Sequence, residues 1–171
     1  MVQTLTVHEA MSGHYLQAMQ GHQFIAPTMV RAIFRSGTFG EGCDVDAEQV
    51  MAEQGSGGAV VSMQLLKLKR RTIINAIIDQ QIHTAMMTEQ EAISLMIEEG
   101  FQEAGAAAKK WRRAWLSSAQ LWTYYIGGIE MNGIRRAHQA TMGNQVEDQR
   151  MHDLRLSFGL AAPKYVTEMM G

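Results

Sequence analysis

Residues 59–84 read Ala-Val-Val-Ser-Met-Gln-Leu-Leu-Lys-Leu-Lys-Arg-Arg-Thr-Ile-Ile-Asn-Ala-Ile-Ile-Asp-Gln-Gln-Ile-His-Thr. Val60, Val61, Leu65, Leu68, Ile73, Ile77 and Ile78 recur at helical spacing, so the stretch predicts one long helix from Ala59 to Thr84. Outward on the N-terminal side, Gly55-Ser56-Gly57-Gly58 is a connection, and a helix is expected from Glu41 to Gln54. The glycine-rich run Ser36-Gly37-Thr38-Phe39-Gly40 reads as a break before it. A first helix is expected from Thr4 to Gln23, ended by Pro27. On the C-terminal side, Thr88-Glu89-Gln90-Glu91 has the form of a capping box, in which the Thr88 hydroxyl caps an amide and the Glu91 carboxylate reaches back. The helix it opens ends at Gly100. Further helices are expected at 101–116, 118–126, 128–142, 146–158 and 163–170, with Gly127-Gly128 and Gly143 as breaks.

Composition agrees. Strand-like runs are scarce, proline occurs twice in 171 residues, and good helix formers dominate. The reading is all-α: a single compact multi-helix domain over residues 1–171. The formal net charge is -2 and the pI about 6.3, which offers no strong field to nucleic acid or an anionic membrane. Lys109, Lys110, Arg112 and Arg113, flanked by Trp111 and Trp115, form the densest basic cluster. It reads either as a phosphate contact or, more commonly, as the solvated face of an amphipathic helix. The single cysteine, Cys43, excludes an intrachain disulfide framework. No run of about eighteen apolar residues spans a membrane. The start, Met-Val-Gln-Thr, lacks a basic region followed by an apolar run, so no signal peptide is read there and a cytoplasmic location is expected. Fourteen methionines suggest an adaptable core, with some available to a dimer interface.

The chemistry gathers in His8-Glu9-Ala10-Met11-Ser12-Gly13-His14. Two imidazoles and a neighbouring carboxylate are what a metalloprotease-like site needs: the metal acidifies water and the carboxylate takes the proton. A spacing of six residues turns His14 roughly 240° from His8 on an ideal helix. The two therefore converge only if the helix bulges or breaks at Ser12-Gly13, where glycine tolerates unusual backbone geometry. Spacing alone leaves open a second reading, two partly exposed histidines on a surface helix.

The stretch Thr6 to Gln17 resembles the signature T-V-H-E-A-x-P-G-H-x-L-Q of a bacterial zincin-like family catalogued as domain of unknown function 885. Gly40-Glu41-Gly42 with Ala47-Glu48 resembles its E-G-W-A-x-Y-A-E helix, and Asp79 with Ile82-His83 its V-V-D-T-G-I-H. Thr88 to Met96 resembles T-x-E-Q-A-I-x-Y-M. Thr123 to Gly127 resembles S-Y-K-I-G, and Arg135 falls at the family's next arginine. Met151-His152-Asp153 and Gly159 resemble F-H-D and the final glycine. The order holds over nearly the whole chain, which corresponds to the C-terminal part of the longer family members.

The resemblance implies a metal-dependent hydrolase of peptidase or amidase type, acting on a peptide or small-molecule substrate. His8, His14 and Glu41 would bind the metal, Zn2+ first and Fe or Mn as alternatives, and Glu9 would be the general base. Tyr124, His83 or Arg135 would steady an oxyanion. Each also has a plainer reading: Tyr124 as core, Arg135 paired with Glu130 or another carboxylate, and His152 with Asp153 as a structural hydrogen bond. The missing part helps to wall the cleft in the family, so the chain is a fragment, a compact relative with a more open site, or a subunit whose cleft a homodimer or partner chain completes.

The departures matter as well. Cys43 and Asp46 occupy the family's Trp and Tyr positions, Asp44 is new, Ser12 replaces a proline, and Gln80-Gln81 replace Thr-Gly. Glu41, Asp44 and Glu48, at i, i+3 and i+7, share one helical face. Asp44 and Glu48 are thus possible additional ligands, favouring a harder or a second metal, or they belong to a solvated acidic helix. Two alternatives to a hydrolase follow: a small-molecule metalloenzyme, biosynthetic or oxidative, or a non-catalytic domain with a structural metal. Cys43 has no adjacent base and is read as buried or incidental rather than as a nucleophile.

Overall fold

The computed structural model describes residues 2–10, 12–142 and 148–170, and among them every regular element is a helix. In chain order these are α1 (Val2–Glu9), α2 (His14–Gln23), α3 (Met29–Ile33), α4 (Gly37–Glu53), α5 (Gly58–Thr84), α6 (Glu89–Glu98), α7 (Ala104–Leu116), α8 (Thr123–Met142), α9 (Asp148–Ser157) and α10 (Pro163–Met170).

Helix α5 starts one residue before its expected start and extends about 40 Å at 1.5 Å per residue. Ile74, Ile78 and Ile82, four apart, form a buried stripe against Met96 of α6 and Trp111 and Ala114 of α7. The capping box is formed: Thr88 Oγ1 accepts from the Glu91 amide and Glu91 Oε2 accepts from the Thr88 amide at 2.8 Å. Asp79, on the same buried face of α5, accepts from the amides of Ala119 (3.1 Å), Leu121 (2.7 Å) and Trp122 (3.2 Å). Those bonds hold residues 117–122 as a turn. Of the helix expected over 118–126 only 123–126 is helical, as the start of α8, because Ala119 sits at φ +62°, outside helical geometry, and Asp79 takes the amides of 119, 121 and 122.

A second core joins Phe39 and Cys43 of α4 to Met131 and Ile134 of α8, Leu156 of α9 and Val166 of α10. Here two expected breaks prove to be helix. Ser36 caps α4 by accepting from the Phe39 amide, so the helix begins at Gly37. Helix α8 runs unbroken through Gly127-Gly128. The reason is contact between the helices: a Cβ on Gly42 would stand 2.5 Å from the Gly127 backbone, and one on Gly127 would stand 2.4 Å from Thr38 O. These glycines let α4 and α8 cross backbone on backbone rather than ending either helix.

The expected first helix is two helices, one ending at Glu9 and the next starting at His14. A Cβ on Gly13 would lie 1.6 Å from the His8 carbonyl oxygen, so only glycine permits the chain to fold back that closely. Helix α3, between Pro27 and Ser36, was not expected; Thr28 caps it. Met11, the break expected at Gly143 and the start of the 146–158 helix lie outside the described residues.

Candidate metal centre

Three helices build the site. Helix α1 brings His8 at its last turn, α2 brings His14 at its first, and α4 lays Glu41, Asp44 and Glu48 along one face. The break at Gly13 cancels the angular mismatch between the histidines, whose rings meet edge to face at 5.2 Å. One donor atom from each of His8, His14, Glu41 and Asp44 lies within 4.8 Å of every other. Glu41 Oε2 is 3.7 Å from His8 Nε2 and 3.6 Å from His14 Nε2. Two donors on one tetrahedral zinc stand about 3.3 Å apart, from metal–ligand lengths of about 2.0–2.2 Å. Glu41 Oε2 and Asp44 Oδ2 are buried with no hydrogen-bond partner. Asp44 Oδ2 does approach His14 Nδ1 to 2.5 Å, but outside hydrogen-bonding alignment. Glu41 Oε2, without a hydrogen-bond partner, and Asp44 Oδ2, which meets only the His14 ring, face two imidazoles, a donor set that fits a divalent cation.

Behind these donors stand orienting contacts. Glu48 Oε1 lies 3.0 Å from His8 Nδ1, on the ring side away from Glu41, so Glu48 holds the ring instead of joining the cluster. Gln17, one turn after His14, donates to Gly40 O at 2.9 Å and to Asp44 Oδ1. The Tyr124 ring lies nearly parallel to His8 at 6.4 Å, with its hydroxyl beside Glu41.

The electrostatics record the concentration of acid. Burial alone would depress His8, but the Glu41 carboxylate beside it and the hydrogen bond to Glu48, with the charges of Glu48 and Asp44, raise it to about 10. Burial pushes Asp44 up to about 8, with Glu41 and Glu9 adding to the shift and His8 opposing it. Burial would also raise Glu41, yet the His8 ring and the Tyr124 hydroxyl beside it, with the charges of both histidines, hold it below the usual carboxylate range.

Not every residue singled out in the sequence comes to this place. Glu9 ends α1, exposed, close enough for its charge to act on Asp44. His83 is turned to the other core: its Nε2 is 3.1 Å from Ala114 O, and its ring packs edge to face on Trp115. Arg135 lies three turns beyond Tyr124 on α8 and pairs with Glu53 at 2.8 Å. His152 approaches Asp46 and Arg155. Cys43 is buried, and burial pushes its thiol up to about 12. Sequence reasoning gave no role to Gln17, although its position one turn after His14 puts it on the same helix face. Nor did it find Arg155, for which the only signal was a position three residues after His152.

Comparison with known proteins places this geometry. No curated protein matches the chain. A solved structure from Shewanella oneidensis, described as a lipoprotein of unknown function, is 38% identical, with a TM-score of 0.88 over 99% of this chain and 31% of its own. Another, described as a lipoprotein from Colwellia psychrerythraea, shares the fold at 24% identity, with a TM-score of 0.87 over 97% of this chain and 28% of its own. The chain thus spans about a third of each. These relatives overturn the expected cytoplasmic location, because proteins described as lipoproteins point to a membrane-anchored or extracytoplasmic place. Residues 1–170 match the profile of the bacterial proteins of unknown function DUF885, and the chain belongs to that family.

Proposed function

We propose that this chain provides the catalytic site of a metal-dependent hydrolase acting on peptide or amide bonds. The observation that carries the reading is Glu41 Oε2, buried, without a hydrogen-bond partner and within 3.7 Å of the Nε2 atoms of both histidines. A divalent metal, zinc foremost, held by His8, His14 and Glu41 with Asp44 beside them, supplies the Lewis acid that polarises a carbonyl and acidifies water. Glu9, at the open end of α1, takes the proton from water and hands it to the leaving amine. The Tyr124 hydroxyl donates to the developing oxyanion. Glu48 fixes the His8 tautomer so that Nε2 faces the metal. On the same reading the protein works outside the cytoplasm, as the description of its relatives suggests.

Elemental analysis of the purified protein tests this. About one equivalent of zinc is expected, lost in His8→Ala and in Glu41→Ala, while Glu9→Gln keeps the metal and loses turnover. Asp44 favours a second reading, because its carboxylate makes the cluster richer in oxygen than a simple zinc site requires. Iron, manganese or two equivalents would move the assignment to a small-molecule metalloenzyme. No metal even after reconstitution would sink both.

A further inference from the structure

The basic cluster on α7 leads back to the metal centre. Lys110 and Arg113 are one turn apart, and Arg71 of α5 lies close enough for its charge to act on Lys110. Arg113 Nη2 is 2.7 Å from Gln120 Oε1 and 3.3 Å from the Tyr124 hydroxyl, which Gln120 Nε2 also approaches at 3.5 Å. The same tyrosine ring lies against His8 with its hydroxyl beside Glu41. One side chain therefore separates the Arg113 guanidinium from the proposed metal ligands.

These cations have no counter-charge. Among the described residues the ion pairs of arginine and lysine are Arg70 with Glu99, Arg135 with Glu53 and Arg155 with Asp46. Arg71 donates to the carbonyls of Gly100 and Phe101 instead. Burial first, then the Arg71 and Arg113 charges, pull Lys110 down to about 8. Three cations near one another, with no ion pair to an acid among the described residues, form a positive focus whose repulsion is relieved when an anion binds.

We infer that Arg113, with Lys110 behind it, is a subsite for a substrate carboxylate, so that the hydrolase proposed above removes the last residue of peptides with a free C-terminus. This rests on that hydrolase reading. The geometry suits it: the terminal carboxylate carbon is three bonds from the scissile carbonyl carbon, on the order of 3–4 Å. A peptide carbonyl at the metal therefore puts its carboxylate near the far side of Tyr124. The planar guanidinium matches a carboxylate better than an ammonium does. In the reaction the terminal C–N bond breaks, the water oxygen joins the acyl carbon, and the proton taken up by Glu9 goes to the nitrogen, giving a shortened peptide and a free amino acid.

The test uses metal-loaded protein and a matched pair of N-acylated dipeptides, one with a free C-terminal carboxylate and one amidated. Cleavage is followed on the unmodified protein, and binding by calorimetry on Glu9→Gln. The carboxylate form is expected to bind and to show a KM about 10–100-fold better, the value of one charge-assisted contact. Arg113→Gln erases that preference and Lys110→Gln weakens it, while Arg112→Gln, on the exposed side of α7, leaves it unchanged. Equal handling of both peptides, or a preference that survives Arg113→Gln, overturns the subsite and leaves the hydrolase standing. Carboxylate-selective binding that is lost in Arg113→Gln, with neither peptide cleaved, supports the subsite and sinks the hydrolase.

Discussion

Helix α4 carries buried carboxylates on two faces, and each is balanced differently. On the face toward α9, Asp46 Oδ2 accepts from Arg155 Nη1 at 2.8 Å, and Arg155 Nη2 lies 2.9 Å from His152 Nδ1. Asp46 is 0% and Arg155 1% exposed. On the face toward α1 and α2, Glu41, Asp44 and Glu48 make ion pairs only to histidines among the described residues. Both faces combine acids with histidine. They differ in that one receives a permanent cation from its own chain and the other does not. The face toward α9 is closed by an arginine of the chain itself, while the face toward α1 and α2 is met by histidines.

The largest expected effect comes from removing that internal cation. Arg155→Met leaves Asp46 buried without its charge partner and should cost about 3–5 kcal/mol in urea unfolding. Metal content measured before unfolding should stay at the unmodified level. If the metal is lost as well, the two faces are one network and the distinction fails.

Glu48→Gln sharpens the other side. The variant keeps a hydrogen-bonding group against His8 Nδ1 but removes the charge, so metal affinity should fall by roughly 10–100-fold with little change in unfolding free energy. Competition with a chromophoric chelator reads this directly; an unchanged affinity would make Glu48 a bystander.

The smallest effect is pH-dependent and belongs to the metal-stripped protein. His8 is raised from 6.5 to about 10 and Asp44 from 3.8 to about 8, so the folded state holds more protons than the unfolded one between these values. Stability from His8 is full below pH 6.5 and lost as pH rises toward 10; ionisation of Asp44 adds to the loss up to about 8. The melting temperature of the stripped protein should drop from pH 6 to pH 9, by an amount on the order of 5 °C. Metal loading should flatten that slope, since the cation takes the place of the protons. Equal slopes with and without metal would separate these groups from the metal.

Much of the fold was legible because it rests on local rules. The apolar spacing over 59–84 marks α5, and Thr88 with Glu91 marks the start of α6, since periodicity and capping are written within a few residues. The glycines misled. Gly37, Gly40, Gly127 and Gly128 look like punctuation, yet α4 and α8 run through them because Gly42 and Gly127 meet across the interface. No single segment records that contact. Ala119 is the reverse case, a good helix former held in a turn by amides bonded to a distant Asp79.

The candidate site divides in the same way. The sequence by itself determined the donor types, the run from His8 to His14 with glycine where the helix has to break, and the i, i+3, i+7 face of α4. These are properties of neighbouring residues and of helical period. Only the tertiary structure decided which carboxylates face the histidines and which is closed off by Arg155, that His83 and Arg135 lie elsewhere, and that Arg113 reaches Tyr124. Those are contacts between residues far apart in the chain, fixed by how closely α4 packs on α8 and how α5 holds the turn before it. Charge balance within a buried cluster depends on such contacts and not on composition, so the difference between the two faces of α4 became visible only in the folded chain.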